Sequence, residues 1–111
     1  MIYQMNLHHH PFTMIKSGQK TIEMRLKTKE RENIKSGDVI VFTDRENQET
    51  LSVTVISVSN FPTFKELYEH FDKSDLGYLP KEDANYEDMY QYYNKQDIAH
   101  FGVIALQIKV I

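Results

Sequence analysis

The sequence predicts an α+β fold built around a small curved sheet or barrel, with helices packed around it. Segments typical of strands occur toward both ends of the chain, and helical patterns are inserted between them. No repeat, low-complexity tract or linker rich in Pro, Gly or Ser interrupts this order. Because 111 residues are about the length of one domain, we expect residues 1–111 to form a single domain.

The first half of the chain predicts a short helix followed by three strands. "HPFTMIKSG" places Pro11 at a favoured first helical position and Gly18 at a favoured C-terminal cap. "KTIEMRL" then alternates in the manner of a strand. In "SGDVIVF" a turn at Gly37 and Asp38 leads into a buried strand, and the β-branched run "TLSVTVISVS" predicts another.

The second half predicts two helices and a closing strand. In "FPTFKELYEHF", Thr63 and Glu66 form a capping box at the start of a helix with apolar residues at helical spacing. Asn85 is a candidate N-cap for a second helix. The stripe of that helix is Tyr86, Met89, Tyr90 and Tyr93. "FGVIALQIKVI" then predicts a strand that carries on one face Ile104, Leu106, Ile108 and Val110.

The composition excludes several classes of protein. With no cysteine, the chain has no disulfide, no thiolate metal site and no cysteine nucleophile, and a reducing compartment is its natural setting. The longest uninterrupted apolar runs have four residues, whereas a membrane span needs roughly 20. We therefore expect a cytoplasmic protein without a membrane partner.

Charge is unevenly distributed although the net charge is only −3. Residues 16–35 contain seven Lys or Arg and three Glu, whereas the chain from residue 61 onward contains five Lys and nine acidic residues. The basic segment can steer a polyanion toward the protein. A pair of solvated faces explains the same pattern equally well.

The stretch "SGQKTIEMRL" brings Lys20, Glu23 and Arg25, here called the charged trio, within six positions of one another. Strand alternation places Glu23 and Arg25 on one face with Thr21, about 7 Å apart. The opposite, apolar face carries Ile22, Met24 and Leu26. Lys20 lies at the entry of the strand, near its rim. The pattern alone favours a polar face in water, and a polar pocket is the alternative.

Three other features have both a structural and a functional interpretation. Within "HHH", only His8 and His10 can share a face of an extended chain, and we do not expect them to bind metal. The tyrosine stripe can stack bases, but core packing is favoured because Met89 lies in the same phase. In "KTKEREN", phosphate contacts and a solvated loop are equally plausible for Lys27, Lys29 and Arg31.

Several motifs that would indicate a cofactor or a known catalytic centre are missing. The sequence has no Gly-rich phosphate loop, no Ser/His/Asp order and no HExxH pattern. We therefore expect neither a cofactor nor a metal site.

The order of these motifs resembles the ASCH domain family. The order H-P-F-x-x-I-x-S-G-x-K-T-I-E-x-R spans residues 10–25, and I-K-x-G-D-x-I-x-F follows at residues 34–42. "FPTFKELYEHF", "LG" at residues 76–77 and "YYNKQDIAHFGVIALQI" at residues 92–108 are similar to the small stand-alone bacterial members. The resemblance covers nearly the whole chain.

The resemblance implies a PUA-like β-barrel of mixed, mostly antiparallel strands with flanking α-helices. It also implies a cleft lined by the charged trio. Because members of the family are generally proposed to bind RNA or nucleotides, we expect a binding module for RNA or for a nucleotide or nucleoside. The expected ligand-binding residues are Lys20, Glu23, Arg25 and His10.

A second implication is enzymatic, because one subgroup of small bacterial members hydrolyses N4-acetylcytidine to cytidine. The lysine of that subgroup maps to Lys20, and its hydroxyl residue maps to Glu23, with Thr21 close by. In an enzyme, Lys20 can stabilise the oxyanion and Glu23 can position a water or take its proton. These two residues are the main catalytic candidates.

The carboxylate that this subgroup carries after the long helix falls near Asp75, with Asp72 and Glu69 as alternatives. Asp75 and Thr21 are therefore weaker catalytic candidates than Lys20 and Glu23. A protein-interaction adaptor with a vestigial pocket is a third hypothesis.

Overall fold

The computed structural model describes every residue from Met1 to Ile111 and contains five strands and four helices. The strands are β1 (Ile2–Leu7), β2 (Ile22–Leu26), β3 (Val39–Asp44), β4 (Thr50–Phe61) and β5 (Val103–Val110). The α-helices are α1 (His9–Lys16), α2 (Phe64–His70) and α3 (Lys95–Phe101), and a 3₁₀ helix covers Tyr86–Gln91. No helix is both long and apolar enough to cross a membrane.

The five strands form one mixed sheet in the order β1-β3-β4-β5-β2, which curls into a half-barrel with flanking helices. β1 pairs with β3 in parallel, and the other three pairings are antiparallel. The predicted α+β, mixed and mostly antiparallel fold is therefore confirmed. In this order β1 and β2 are the two edge strands.

β4 is the strand that allows the sheet to curl. It has 12 residues, pairs first with β3 and then with β5, and its register with β5 shifts between Val55 and Ser57. Such a bulge bends a strand and increases its local twist. The sheet thereby brings its two edges toward one another.

Two hydrophobic cores lie on opposite faces of the sheet. The first joins β1, β3, β4 and β5 to α1, and its most buried members include Phe12, Ile15, Ile40, Phe42 and Val53. The second joins the apolar face of β2 to the other helices, with Met24, Phe64, Leu67, Met89 and Ile98 among its members. β5 contributes to both cores, because alternate residues point to opposite faces.

The predicted face of β5 is correct, because its four residues alternate along one continuous strand. Ile104, Leu106 and Ile108 are buried, whereas Val110 is exposed. β2 pairs with residues Val103 to Gln107 of β5. The last residues of β5, which include Val110, extend beyond the end of β2.

The predicted first helix exists, but it begins at His9, two residues before Pro11. Pro11 still lies in the first turn, where backbone N–H groups have no intrahelical partner and the missing donor costs little. Gly18 follows the helix with φ +86°, as expected for a C-terminal cap. α2 begins at its predicted capping box, since the Thr63 hydroxyl accepts a bond from the Lys65 N–H and pairs with Glu66.

The predicted second stripe forms a 3₁₀ helix rather than an α-helix, so Tyr93 lies beyond its end. The Asn85 side chain caps it by accepting a hydrogen bond from the Glu87 N–H. Asn94 soon begins α3 in the same way, which leaves the stripe too little chain for a longer helix. The preference for core packing is confirmed by the residues that pack against the second core, Tyr86, Tyr90 and Tyr93.

Candidate functional site

A cavity of about 580 Å³ lies where the two edges of the sheet approach one another. Arg25 of β2 donates a hydrogen bond from Nη2 to the Asn6 carbonyl of β1 at 2.8 Å, which links the edge strands directly. Residues of both strands, of α1 and of the segment after α2 line the cavity. Its volume falls within the range of about 300 to 1,000 Å³ that is typical of small-molecule sites.

The charged trio lies in this cavity and is buried rather than solvated. Glu23 exposes only 3% of its surface, and the Lys20 and Arg25 side chains expose 10% and 12%. Glu23 Oε1 is 3.3 Å from Lys20 Nζ, and Glu23 Oε2 accepts a hydrogen bond from Arg25 Nε at 2.9 Å. The polar face that strand alternation predicts is correct, but the preference for water that the pattern alone favoured is wrong.

The register of β2 explains why its polar face turns inward. Glu23 pairs with Leu106 and Arg25 pairs with Ile104, both of which belong to the first core. Residues directly opposite one another in a sheet point to the same side. The two charges therefore lie at the margin of an apolar core and require one another as partners.

The Glu23 carboxyl is held in its ionised form. Burial alone would raise its pKa, but the charges of Lys20 and Arg25 and their hydrogen bonds outweigh burial and hold the pKa below its ordinary value. An ionised carboxylate can only accept hydrogen bonds. The Glu23 carboxylate is therefore a hydrogen-bond acceptor that lies between the donors of Lys20 and Arg25.

Lys20 is more deeply placed than the sequence indicates. It precedes β2, and its N–H donates to the Met14 carbonyl of α1 at 3.1 Å. Gly77 packs on its side chain so closely that a Cβ added there would lie 3.2 Å from Lys20 Cδ. The "LG" segment covers the lysine stem, which is why Lys20 does not emerge at a rim.

The weaker catalytic candidates Thr21 and Asp75 contact each other but do not line the cavity. The Thr21 hydroxyl donates to Asp75 Oδ1 at 3.0 Å, and the Asp75 carbonyl accepts the N–H groups of Thr21 and Ile22. These bonds fasten the segment after α2 to the start of β2. The alternatives Asp72 and Glu69 are exposed and also lie outside the cavity.

The second half of the chain forms one wall of the cavity, which the sequence did not reveal. Its residues include Tyr68, Tyr78, Glu82, Asp88, Tyr92 and Tyr93. The Tyr78 hydroxyl donates to Asp88 Oδ2 at 2.7 Å and lies 2.9 Å from the Tyr68 hydroxyl. Burial, with the neighbouring Tyr68 and Asp88, raises the pKa of Tyr78 well above its ordinary value, so this wall is neutral at Tyr78.

The sequence matches a known protein family. The family model described as the ASCH domain matches residues 5–111. The chain belongs to the ASCH domain family. No curated protein matches the sequence.

Solved structures share the fold of this ASCH domain. The hypothetical protein PH0355 is 31% identical with a TM-score of 0.86, and the match covers 100% of both chains. Protein PF0455 from Pyrococcus furiosus is 29% identical with a TM-score of 0.74, over 100% of this chain and 98% of the other. An ASCH protein from Zymomonas mobilis has a TM-score of 0.69 at 13% identity, over 97% of this chain and 67% of the other, which shows the fold alone.

The histidine run of this ASCH domain divides between two places. His8 and His10 line the cavity, and the His8 ring lies 5.5 Å from the Tyr92 ring. His9 points elsewhere, with Nδ1 2.7 Å from Asp44 Oδ2 and 2.9 Å from Glu46 Oε2. These three side chains could surround a cation, but the hydrogen bond to Asp44 raises the pKa of His9 and favours an ion pair.

Two further cations of the ASCH domain line the cavity, Arg31 and Arg45. Arg31 belongs to the segment "KTKEREN", whereas Lys27 and Lys29 of that segment lie outside the cavity. Arg45 follows β3 and no sequence motif marked it, because its place depends on the pairing of β1 with β3.

Proposed function

We propose that this ASCH domain binds RNA or a nucleotide or nucleoside, with the base of the ligand in the cavity beside the charged trio. The family supports an RNA-binding role in general terms. The observation that carries the proposal is the buried Glu23 carboxylate, paired with two cations and lining a cavity of suitable size.

The charged trio is complementary to the hydrogen-bonding edge of a nucleobase. Glu23 can accept from an exocyclic amine, as acidic side chains do when they recognise cytosine. Lys20 retains donors that can meet a neighbouring base acceptor, because an ammonium group has three. The trio therefore offers an acceptor next to a donor, which is the complement of an amine beside a ring nitrogen or carbonyl.

Arg25 has a different role from Lys20 in this proposal. Its Nε and Nη2 groups are occupied by Glu23 and by the Asn6 carbonyl. Arg25 therefore positions Glu23 and joins the edge strands, and only its remaining nitrogen is available to a ligand. His10 and the half-exposed Tyr92 line the outer part of the cavity, where an aromatic ring can stack on a base.

The proposal is tested by titrating the protein with the four nucleosides, their 5′-monophosphates and a short single-stranded RNA. Lys20→Met keeps the packed stem but removes the charge, and it should weaken binding at least about tenfold, the value of one charge-assisted hydrogen bond. Lys109→Met is the matched control, because Lys109 is exposed and lies outside the cavity. Equal affinities of the two variants would contradict the proposal.

Hydrolysis of N4-acetylcytidine is the second candidate function, favoured by the contact between Lys20 and Glu23 inside the cavity. Lys20 can stabilise an oxyanion, and Glu23 can orient a water. The lowered pKa of Glu23 makes it a weak base, so we rank this function second. Incubation with N4-acetylcytidine beside Lys20→Ala tests it, and cytidine release no faster than in that control would contradict it.

A further inference from the structure

Arg31 and Arg45 differ from the other cations of the cavity because they have no partner. No ion pair and no side-chain hydrogen bond in the structure involves either guanidinium group. Lys20 and Arg25, by contrast, are both paired with Glu23. Arg31 and Arg45 are here called the rim arginines; Arg45 is exposed, and Arg31 is partly exposed.

No acidic residue of the cavity forms an ion pair with a rim arginine. Glu82 accepts a hydrogen bond from the Leu79 N–H at 2.6 Å, and Asp88 accepts one from the Tyr78 hydroxyl at 2.7 Å. Both acids therefore have partners on their own wall of the cavity. The guanidinium donors of the two rim arginines therefore remain available to a ligand.

The rim arginines come from separate segments, and both line the cavity. The Arg31 N–H donates to the Thr28 carbonyl in the turn after β2, and the Arg45 N–H donates to the Leu7 carbonyl of β1, both at 2.9 Å. Burial raises the pKa of Tyr93 and the charge of Glu23 adds to the rise, whereas the charges of Arg25, Arg31 and Arg45 oppose it. Tyr93 lines the same cavity as these three guanidinium groups.

We propose that the rim arginines form a phosphate subsite at the mouth of the cavity, so that the ligand is a phosphorylated nucleoside rather than a free one. This inference rests on the proposed function, which places the base beside the charged trio. A guanidinium group is always charged and its planar fork matches phosphate oxygens. A free 5′-nucleotide and a nucleotide within RNA supply the same phosphate chemistry.

The test compares each nucleoside with its own 5′-monophosphate in wild type, Arg31→Gln, Arg45→Gln and the double variant. We expect at least one monophosphate to bind about tenfold or more tightly than its nucleoside, and the double variant to lose that preference. Lys29→Gln is the matched control, because Lys29 is an exposed neighbour of Arg31 that does not line the cavity. Circular dichroism confirms that each variant is folded.

An RNA arm distinguishes the two sources of phosphate. The logarithm of RNA affinity should fall less steeply with the logarithm of salt concentration, by about 0.7 for each rim arginine removed. If the rim arginines are needed for the monophosphate preference but do not affect the salt dependence of RNA binding, the subsite serves free nucleotides. If they affect the salt dependence of RNA binding but not the monophosphate preference, the subsite serves RNA. Either result supports the subsite.

Failure of the subsite differs from failure of the proposed function. The subsite is overturned if ligands bind and depend on Lys20 while the double variant behaves like Lys29→Gln in both arms. If no nucleoside, monophosphate or RNA binds the wild-type protein, the proposed function fails and the subsite fails with it.

Discussion

Glu23 and Asp44 are both buried carboxylates with cationic neighbours, yet their surroundings differ in kind. Asp44 Oδ1 accepts a hydrogen bond from the Glu46 N–H at 2.9 Å, and Asp44 Oδ2 is bonded to His9. Glu23 has no backbone donor, and both of its oxygens face only the side chains of Lys20 and Arg25. Asp44 does not line the cavity, whereas Glu23 does.

This difference separates a structural carboxylate from a candidate functional one. Asp44 holds the turn after β3, and its carboxylate serves the backbone of that turn. A carboxylate has about four lone-pair sites, and the side-chain partners of Glu23 leave some of them open toward the cavity. Burial and charge alone therefore do not distinguish a ligand-binding carboxylate from a structural one. The two are distinguished by the groups that the carboxylate bonds and by whether it lines a cavity.

The largest expected effect comes from removing the Glu23 charge. Glu23→Gln leaves the cations Lys20 and Arg25 buried without a counter-charge, so we expect the free energy of unfolding to fall by about 3–5 kcal/mol. Urea denaturation measures this change. Glu69→Gln is the control, because Glu69 is exposed and lies outside the cavity. A loss as small as that of the control would mean that the two cations reach water without Glu23.

Asp44→Asn should destabilise the protein by roughly half as much or less. The asparagine carbonyl can still accept from the Glu46 N–H, and the half-exposed His9 can turn to solvent. Ligand affinity should be unchanged, because Asp44 is outside the cavity. If Asp44→Asn weakens ligand binding as much as Lys20→Met does, the conclusion that Asp44 is structural and Glu23 functional is contradicted.

The features of the Glu23 site that depend on local sequence periodicity were predictable from the sequence. Strand alternation placed Glu23 and Arg25 on one face, because neighbouring side chains of a strand point to opposite sides. The resemblance to the ASCH family indicated a cleft lined by the charged trio. The capping box at Thr63 also marked its helix correctly, since that signal lies within one turn.

The rest depends on contacts between distant parts of the chain. Lys20 is buried because Gly77 packs on it, and Arg45 reaches the cavity because β3 pairs with β1. β1 itself and α3 were not predicted, although Asn94 and Gly102 bracket α3 as an N-cap and a C-cap. The histidine run was interpreted on an extended chain, whereas it begins α1, and His9 therefore found a partner that no local pattern shows.

A smaller effect is expected from substituting Gly77. This substitution tests the surroundings of Glu23 indirectly, because Gly77 contacts Lys20, the partner of Glu23. Gly77 has φ +102°, and an added Cβ would meet Lys20 Cδ at 3.2 Å. Gly77→Ala should cost about 1–2 kcal/mol in stability through backbone strain. It should also weaken ligand binding, because the lysine must shift.

Gly18→Ala is the matched control for Gly77→Ala. Gly18 has a similar φ of +86°, but nothing lies within 4 Å of its added Cβ. Both variants should lose stability in urea denaturation, and only Gly77→Ala should lose affinity for the ligand. Equal affinities would show that the packing of Gly77 does not set the position of Lys20.

The smallest expected effect is a pH dependence that belongs to the Asp44 region alone. The hydrogen bond to Asp44 raises the pKa of His9 above its ordinary value of 6.5, so the folded protein binds the proton more tightly than the unfolded chain. The stabilisation is therefore complete below pH 6.5 and is lost as the pH rises through the folded pKa. The stability difference between wild type and His9→Asn should shrink across that window, whereas exposed His100→Asn should show no such trend. The carboxyl of Glu23, whose pKa is lowered, loses its contribution only at acid pH. Because His8 and His10 also line the cavity, ligand affinity is compared between wild type and His9→Asn, and a change in that window that His9→Asn abolishes would show that the two carboxylates are coupled.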